Sequence, residues 1–368
     1  MTDRTGTVGV GVIGAGVISS QYLDNLTTFP DVEVRFVADL DLGRAEEQAK
    51  KYGIPAFGTV EQLLADDAVE IVVNLTIPKA HVEVALQVLA AGKHVWTEKP
   101  FALDRESGRQ LLDAAHASGR RVATAPDTFL GAGLQTARRL VEGGAIGAPL
   151  TALTLLQSPG PESWHPNPDF LFQAGGGPLL DMGPYYVTAL VQLFGPVSRV
   201  TAQSSTAKPF RTIGSGPRAG EQVEVTVPTH ISALIEFEGG QLAQSIFSFD
   251  SKLPRTQFEV SGVDGTLVVP DPNTFSGELT IYGDDKSVET IESTGSTSGR
   301  GTGVVDLAQS IRAGRPERAS GEQAYHVLDV LLSILDSAER QEPVSVESTT
   351  VLSPPLPEAW DPRDRTLG

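Results

Sequence analysis

The sequence contains no cysteine, which removes disulfides, thiolate nucleophiles and Cys-ligated zinc together. Its six histidines, His81, His94, His116, His165, His230 and His326, form no HExxH or comparable close pair, so no metal site is expected. Basic residues are scarce: 28 Lys and Arg face 46 Asp and Glu, for a net charge of -18. A phosphate-tracking surface needs clustered Lys and Arg. No such run occurs, so neither nucleic acid nor an anionic membrane surface is an expected partner. No apolar run approaches the ~18 residues needed to span a bilayer, and no basic segment leads into a cleavable apolar core. The cytoplasm is the expected location. An anionic ligand must then be held locally, by main-chain N–H groups, and a helix N-terminus is where such groups converge.

What is present is ordinary for a folded chain: 368 residues, 40% hydrophobic and 20% charged. That length exceeds what one core usually serves, so two domains are expected. Over the first ~125 residues strand and helix patterns alternate. Strands are predicted at 8–13, 32–38, 70–75, 94–97 and 121–125, and helices at 17–26, 44–52, 61–65 and 79–91, with a further helix capped by Asp104 and running to 118. Alternation of this kind builds a doubly wound parallel sheet. After Pro126 the pattern changes. A helix over 134–142 precedes alternating segments at 150–156, 197–203, 231–237, 241–249, 257–261, 266–269 and 279–282, joined by Gly-rich turns, with helices over 184–194 and 322–340. These read as a large, mainly antiparallel open sheet. The Gly, Ser and Thr-rich stretch 293–302 and the Pro-rich stretch 353–368 read as loosely held loop and tail. The expected division is a dinucleotide-binding domain over 1–126, a substrate and oligomerisation α/β domain over 127–350, and an extended tail over 351–368.

The first strand ends in Gly14-Ala15-Gly16-Val17-Ile18-Ser19, a dinucleotide fingerprint with Ser at the third small position. Gly14 permits the tight turn, Gly16 lets the backbone approach a pyrophosphate, and the following helix offers N–H donors and its positive dipole end. Ser19 is small enough for close helix–strand packing. Asp39 ends the second strand, 25 positions after Gly14. A carboxylate there accepts hydrogen bonds from the adenosine ribose hydroxyls and repels a 2′-phosphate. Leu40 follows, where an Arg or a hydroxyl residue would help NADP. NAD is therefore expected in preference to NADP.

Further along stand Asn74-Leu75-Thr76-Ile77-Pro78 with His81, then Glu98-Lys99-Pro100, then Gly175-Gly176-Gly177-Pro178-Leu179-Leu180-Asp181-Met182-Gly183, and later Ser310-Ile311-Arg312-Ala313-Gly314-Arg315-Pro316. In this order, after the fingerprint, they resemble the Gfo/Idh/MocA family (glucose-fructose oxidoreductase, inositol dehydrogenase and relatives) over nearly the whole chain. The resemblance implies a Rossmann domain, then an α/β domain whose open sheet often forms a subunit interface, hence a homo-oligomer, dimer or tetramer. It implies cofactor contacts from Gly14, Ala15, Gly16, Val17, Ile18, Asp39, Leu40, Thr76, Pro78, His81, Glu98 and Lys99, and a carbohydrate-like substrate. Lys99 would lie beside the nicotinamide and the reacting oxygen, with Asp181 and the residue four positions on completing the catalytic group. The residues agree for Lys99: it directly follows a strand at the ligand edge of the sheet, where an ammonium can stabilise an alkoxide. Asp181, flanked by glycines ahead of the predicted helix, could also serve as a helix N-cap.

The chain departs from the family where the usual D-x-G-x-H-x-x-D becomes Asp181-Met182-Gly183-Pro184-Tyr185-Tyr186-Val187-Thr188. Tyr185 replaces the catalytic His and Thr188 the second Asp, while Phe129 stands roughly where many members carry Arg. Two groups could take over proton transfer. A neighbouring ammonium lowers a tyrosine pKa from about 10, so Tyr185 paired with Lys99 could act as the base. His165, in Trp164-His165-Pro166, is the other candidate. Asp127, Thr128, Lys208, Arg211 and Arg255 are polar candidates for substrate contact. The expected activity is hydride transfer between NAD and a secondary alcohol or ketone of a sugar, sugar derivative or cyclitol. A redox-cycling glycosidase with catalytic NAD, and a non-catalytic NAD-binding sensor, are the other readings.

Overall fold

Apolar β-branched runs form the strands of the N-terminal part, and the amphipathic stretches between them form helices that cover those strands. The structure is a computed structural model and describes residues 5–284 and 286–368. β1 (Val8–Ile13) leads to α1 (Val17–Leu26), β2 (Val32–Ala38) to α2 (Leu42–Tyr52), and β3 (Ala56–Gly58) to α3 (Val60–Leu64). β4 (Ile71–Asn74) leads to α4 (His81–Ala90), β5 (His94–Thr97) to α5 (Arg105–Ser118), and β6 (Val122–Thr124) to α6 (Ala132–Glu142). The six strands form one sheet in the order β3-β2-β1-β4-β5-β6, every pair parallel. Every residue of β1, β4 and β5 is buried, as parallel strands covered on both faces must be. The order reverses between β1 and β4, and open α/β sheets bind ligands at the carboxyl edge of such a switch point.

The second sheet begins with β7 (Pro149–Gln157), followed by α7 (Gly177–Phe194), β8 (Val197–Ser205), β9 (Phe210–Thr212), β10 (Gln222–Glu224), β11 (His230–Phe237) and β12 (Leu242–Ser248). β13 (Arg255–Gly262), β14 (Gly265–Val268), β15 (Leu279–Gly283) and β16 (Val288–Ile291) continue it. After them come α8 (Thr302–Ala313), α9 (Gly321–Arg340) and β17 (Val344–Ser345). Nine strands pair in the order β16-β15-β14-β13-β7-β12-β11-β8-β17. Only β12 and β7 run parallel within it. α7 packs on β7, β11 and β12, and α9 is fastened to β8 where Ser337 Oγ accepts the Ala202 N–H at 2.9 Å. A Cβ on Gly183 would lie 2.6 Å from Leu331 of α9, so this glycine lets α7 and α9 approach. On the opposite face Leu153, Leu155, Leu234, Leu242 and Ile246 remain partly or fully exposed. β9 and β10 form a separate hairpin over a small core of Phe172, Ile213, Val223 and Phe249.

Chain order does not define the compact units. One holds residues up to Gln135, Thr294–Tyr325 and Leu352–Gly368; the other holds Thr136–Ser293 and His326–Val351. The sequence-based division after Pro126, with a separate tail, differs from this, and hydrogen bonds explain why. The final segment has no helix or strand, yet Leu356 N–H donates to Gln135, Trp360 Nε1 to Gln309, and Thr366 N–H and Leu367 N–H to Asp31. The Ser and Gly-rich stretch before α8 is likewise held, with Ser296 and Ser298 buried. α8 was not visible as a helix because its N-cap, Gly301, has no capping side chain. Asp127 supplies the cap from far away, accepting the Gly301 and Gly303 N–H groups at 2.9 and 3.2 Å. α7 begins seven residues before the expected start, so Asp181 lies inside it and is not its cap. Proline marks a first turn, but Pro178 fills that place and Pro184 sits in the interior.

Asp31 fastens the C-terminal segment. It is fully buried and accepts from Thr366 N–H, Thr366 Oγ1, Leu367 N–H and Gln309 Nε2 at 2.6–2.9 Å. Burial raises its pKa, but the bonds from Thr366, Leu367 and Gln309 together outweigh it and hold the carboxyl below its ordinary value. Stability from a depressed carboxylate is present above the unfolded-state pKa, about 3.9, and is lost as pH falls through the folded one. Asp31→Ala should therefore cost about 2–3 kcal/mol in denaturant unfolding at pH 7, with the deficit shrinking below about pH 4. A deficit that stays constant with pH would contradict this role.

Candidate active site

At the carboxyl edge of the first sheet, Gly14 adopts φ +104, and a Cβ there would lie 2.6 Å from the Leu75 carbonyl oxygen. Only glycine fits that turn. At Gly16, the N-cap of α1, an added Cβ would meet nothing within 4 Å, so the backbone lies open in front of the helix N-terminus. Ser19 is fully buried and its Oγ donates to the Gly16 carbonyl at 2.6 Å. Asp39 Oδ2 accepts the Ala15 N–H at 2.7 Å and Oδ1 accepts the Asp41 N–H at 2.8 Å. Arg44 Nη2 lies 3.6 Å from Asp39 Oδ1. Three apolar side chains on this rim face solvent: Val17 is 93% exposed, Leu40 98% and Ile77 68%. Ala15 is buried, while Ile18, Thr76 and Pro78 are partly exposed.

The turns after β4 and β5 are tied to each other. Asn74 Nδ2 donates to the His81 carbonyl at 2.9 Å, and its Oδ1 accepts from Thr76 Oγ1 at 2.7 Å. The His81 ring is buried, with Nδ1 2.9 Å from the Pro100 carbonyl and Nε2 2.9 Å from the Thr76 carbonyl. Burial pushes its pKa down, partly offset by those two carbonyls. Each ring nitrogen faces a main-chain carbonyl; the neutral ring has one N–H and donates to one of the two, and His81 packs between the turns after β4 and β5. Glu98 is buried; its Oε1 accepts the Tyr22 hydroxyl at 2.8 Å and its Oε2 the Lys99 N–H at 2.9 Å. Lys99 itself is partly exposed.

In the other unit, Asp181 and Tyr185 are four residues apart on α7, a spacing that puts both on one helix face. Tyr185 is buried and Asp181 partly exposed. Thr188, one turn further, is buried. His165 lies in the loop before α7, its ring edge-on to Trp164 and Phe170 with centroids 5.5 Å from each. Its Nδ1 accepts the Asn167 N–H at 3.1 Å, which leaves the neutral ring's proton on Nε2.

Of the polar candidates for substrate, Asp127 and Thr128 are buried. Asp127 has its pKa raised to about 6, by burial above all, and serves as the α8 cap. Arg211 is buried as well, bonded to Glu162 and Asp250 and set over the Phe172 ring. Both hold the fold. Lys208 and Arg255 are exposed. Two rim residues and one buried beside them escaped the sequence reading. Ile77 lies inside a quoted motif and Arg44 follows Asp39 by five positions, so both were within reach; Tyr22 had no signal beyond helix position.

Residues 8–125 match the family model described as "Oxidoreductase family, NAD-binding Rossmann fold", and residues 134–268 match "GFO/IDH/MocA C-terminal domain". The chain belongs to the GFO/IDH/MocA oxidoreductase family. It is 32% identical to mouse trans-1,2-dihydrobenzene-1,2-diol dehydrogenase over 263 residues, 69% of this chain and 72% of that protein. It is 26% identical to a 1,5-anhydro-D-fructose reductase of Ensifer adhaerens over 70% of this chain and 74% of the relative. An NAD-binding oxidoreductase from Klebsiella pneumoniae superposes with TM-score 0.80 at 25% identity, covering 92% of this chain and 99% of that one. A levoglucosan dehydrogenase solved with NADH and L-sorbose gives TM-score 0.80 at 22% identity, over 93% and 100%.

As a GFO/IDH/MocA oxidoreductase the chain binds NAD, and its residues fit that cofactor: an open Gly16 before a helix N-terminus, a carboxylate at Asp39 and an apolar rim of Val17, Leu40 and Ile77. Among the described residues no cluster of three or more His, Asp or Glu could hold a metal ion, and no helix is long and apolar enough to cross a membrane. Asp39, at the end of β2 with Arg44 3.6 Å from its Oδ1, is the expected partner of the adenosine ribose. NADH should bind more tightly than NADPH, and Asp39→Ala, which frees Arg44 to meet a 2′-phosphate, should shift the ratio of dissociation constants towards NADPH by at least ~10-fold, about 1.4 kcal/mol. An unchanged ratio, read from bound-nucleotide fluorescence, would remove Asp39 from that role.

Proposed function

We propose that this oxidoreductase interconverts a secondary alcohol and its ketone on a cyclic, polyhydroxylated substrate of the sugar or cyclitol kind. The observation that carries the reading is the bracing of the Lys99-Pro100 turn at the carboxyl edge of β5. The Lys99 N–H is held by Glu98 and the Pro100 carbonyl lies against the His81 ring, so the turn that carries Lys99 is fixed at the ligand edge of the sheet. The relatives' names support the substrate class: a cyclic diol in one and an anhydro sugar in another. The uncovered face of the second sheet, with Leu153, Leu234 and Ile246, is the surface through which copies of the chain would pair in this reading.

NAD, held at the Gly14–Gly16 turn and Asp39, would supply the acceptor for the carbinol hydride, and NADH the donor in the reverse direction. The protein's part is to manage the oxygen. In oxidation, Lys99 stabilises the alkoxide that develops as the hydroxyl proton leaves. Tyr185, as the phenolate, receives that proton, and Asp181 stands one turn before it on the same face of α7. Tyr185 suits that task better than His165 for a structural reason. The Asn167 N–H uses the His165 Nδ1 lone pair, so the accessible nitrogen carries hydrogen and donates. His165 then contributes a hydrogen bond and an aromatic wall with Trp164 and Phe170, both more than half exposed.

Lys99→Ala should retain NADH affinity and thermal midpoint while losing ~10²-fold or more in turnover, the scale of one electrostatic contribution. Tyr185→Phe, which keeps the ring, should lose ~10² to 10⁴-fold, the weight of a positioned proton-transfer group. His165→Ala is the comparison, expected to raise KM more than it lowers kcat. If His165→Ala abolishes turnover while Tyr185→Phe stays near normal across pH, the proton leaves through the histidine.

A further inference from the structure

The Tyr22 phenol is fully buried on α1, the helix whose N-terminus lies at the glycine turn. Five residues separate it from Val17, so less than two helical turns, roughly 8 Å, lie between the pyrophosphate-facing amides and the hydroxyl. That hydroxyl accepts the Trp96 Nε1–H at 3.1 Å and donates to Glu98 Oε1 at 2.8 Å. Glu98 spends its other oxygen on the Lys99 N–H. Trp96 has room for its ring because residue 303 is glycine: a Cβ there would lie 2.1 Å from the indole.

We infer that Tyr22 is a positioning residue for Lys99, acting through Glu98, and that it couples the seat of the pyrophosphate to the site of hydride transfer. The inference rests on the reading of Lys99 given above. A packing role alone would need the ring and not the hydroxyl, whereas here the hydroxyl meets one end of a carboxylate whose other end holds the Lys99 main chain. The charged groups facing the phenol are Glu98 on the turn after β5, Asp127 ahead of α6 and Arg300 ahead of α8. Burial, then Glu98 and Asp127, hold the phenol well above its usual pKa, so it remains a donor throughout the range in which an enzyme is assayed. Without that donor, Glu98 Oε1 is left inside the protein with a negative charge to satisfy, and the cation on the same turn is Lys99.

The test reads Lys99 directly and needs no substrate. The rate of reductive methylation of Lys99 by formaldehyde, followed by peptide mass spectrometry against pH, gives the midpoint of its ammonium in the full chain with NADH bound. Tyr22→Phe should raise that midpoint by about half a unit or more and leave NADH affinity within about twofold. Glu98→Gln, which keeps the side-chain volume and removes the charge, should lower it. Adding Tyr22→Phe to Glu98→Gln should change nothing further, because a residue that acts through another has no effect once that partner is altered. An unmoved midpoint in Tyr22→Phe, or an equal shift in both backgrounds, overturns the inference. If Tyr22→Phe does not fold, an unmoved midpoint in Glu98→Gln alone overturns it. Should the midpoints move as stated while Lys99→Ala keeps full turnover, the coupling stands and the proposed function of Lys99 fails.

Discussion

A carboxylate out of reach of water must be fully hydrogen-bonded, because an unsatisfied buried charge costs several kcal/mol. Glu98 imposes that requirement at the end of β5, and much of the ligand edge follows from how it is met. One oxygen is satisfied from α1 through Tyr22 and the other from its own turn through the Lys99 N–H. On the far side of the turn, His81 lies between the Pro100 and Thr76 carbonyls and donates to one of them, and Asn74 fixes the Thr76 segment in turn. The glycine helix, the turn after β4 and the turn after β5 are therefore one hydrogen-bonded frame. Preorganisation of this kind would let a single ammonium stabilise developing charge without rearrangement, the role proposed for Lys99.

The same frame bears on how a chain of net charge -18 can bind a cofactor with a dianionic pyrophosphate. The long-range field is unfavourable, so attraction has to come from groups close to the phosphates. Main-chain N–H groups at the start of α1 would provide it, with Gly16 leaving their approach open. Asp39 adds to the repulsion, tempered by the Ala15 and Asp41 N–H groups on its oxygens. Arg44 tempers it further from 3.6 Å.

Local signals made most of the fold legible. Strand β5 is predicted over 94–97 and found at His94–Thr97; Asp104 caps α5 through Ser107 N–H as expected. Both depend on neighbours in sequence, as do the glycine turn and the placing of Asp39 and Lys99. Two misses depend on partners far away: α8 takes its cap from Asp127, and the C-terminal segment its hydrogen bonds from Asp31 and Gln135. The early start of α7 is local: two prolines compete for its first turn, and Pro178 holds it rather than Pro184. The site divides the same way. The fingerprint and the Glu98-Lys99-Pro100 motif are contiguous, whereas Tyr22 reaches Glu98 across 76 positions, and the proton on His165 is decided by the Asn167 N–H, which composition does not reveal.

Direct hydride transfer from a ring carbinol is the central claim, and isotopic labelling addresses it without ambiguity of stoichiometry. A panel of cyclic polyols deuterated at their carbinol carbons would be incubated with the protein and NAD, and the nucleotide and organic products analysed by mass spectrometry. The account predicts that one class of polyol yields NADH carrying a single deuterium together with an equal amount of ketone. Deuterium that never appears in the nucleotide with any member of the panel, or an aglycone released while NAD is left unchanged overall, would contradict it.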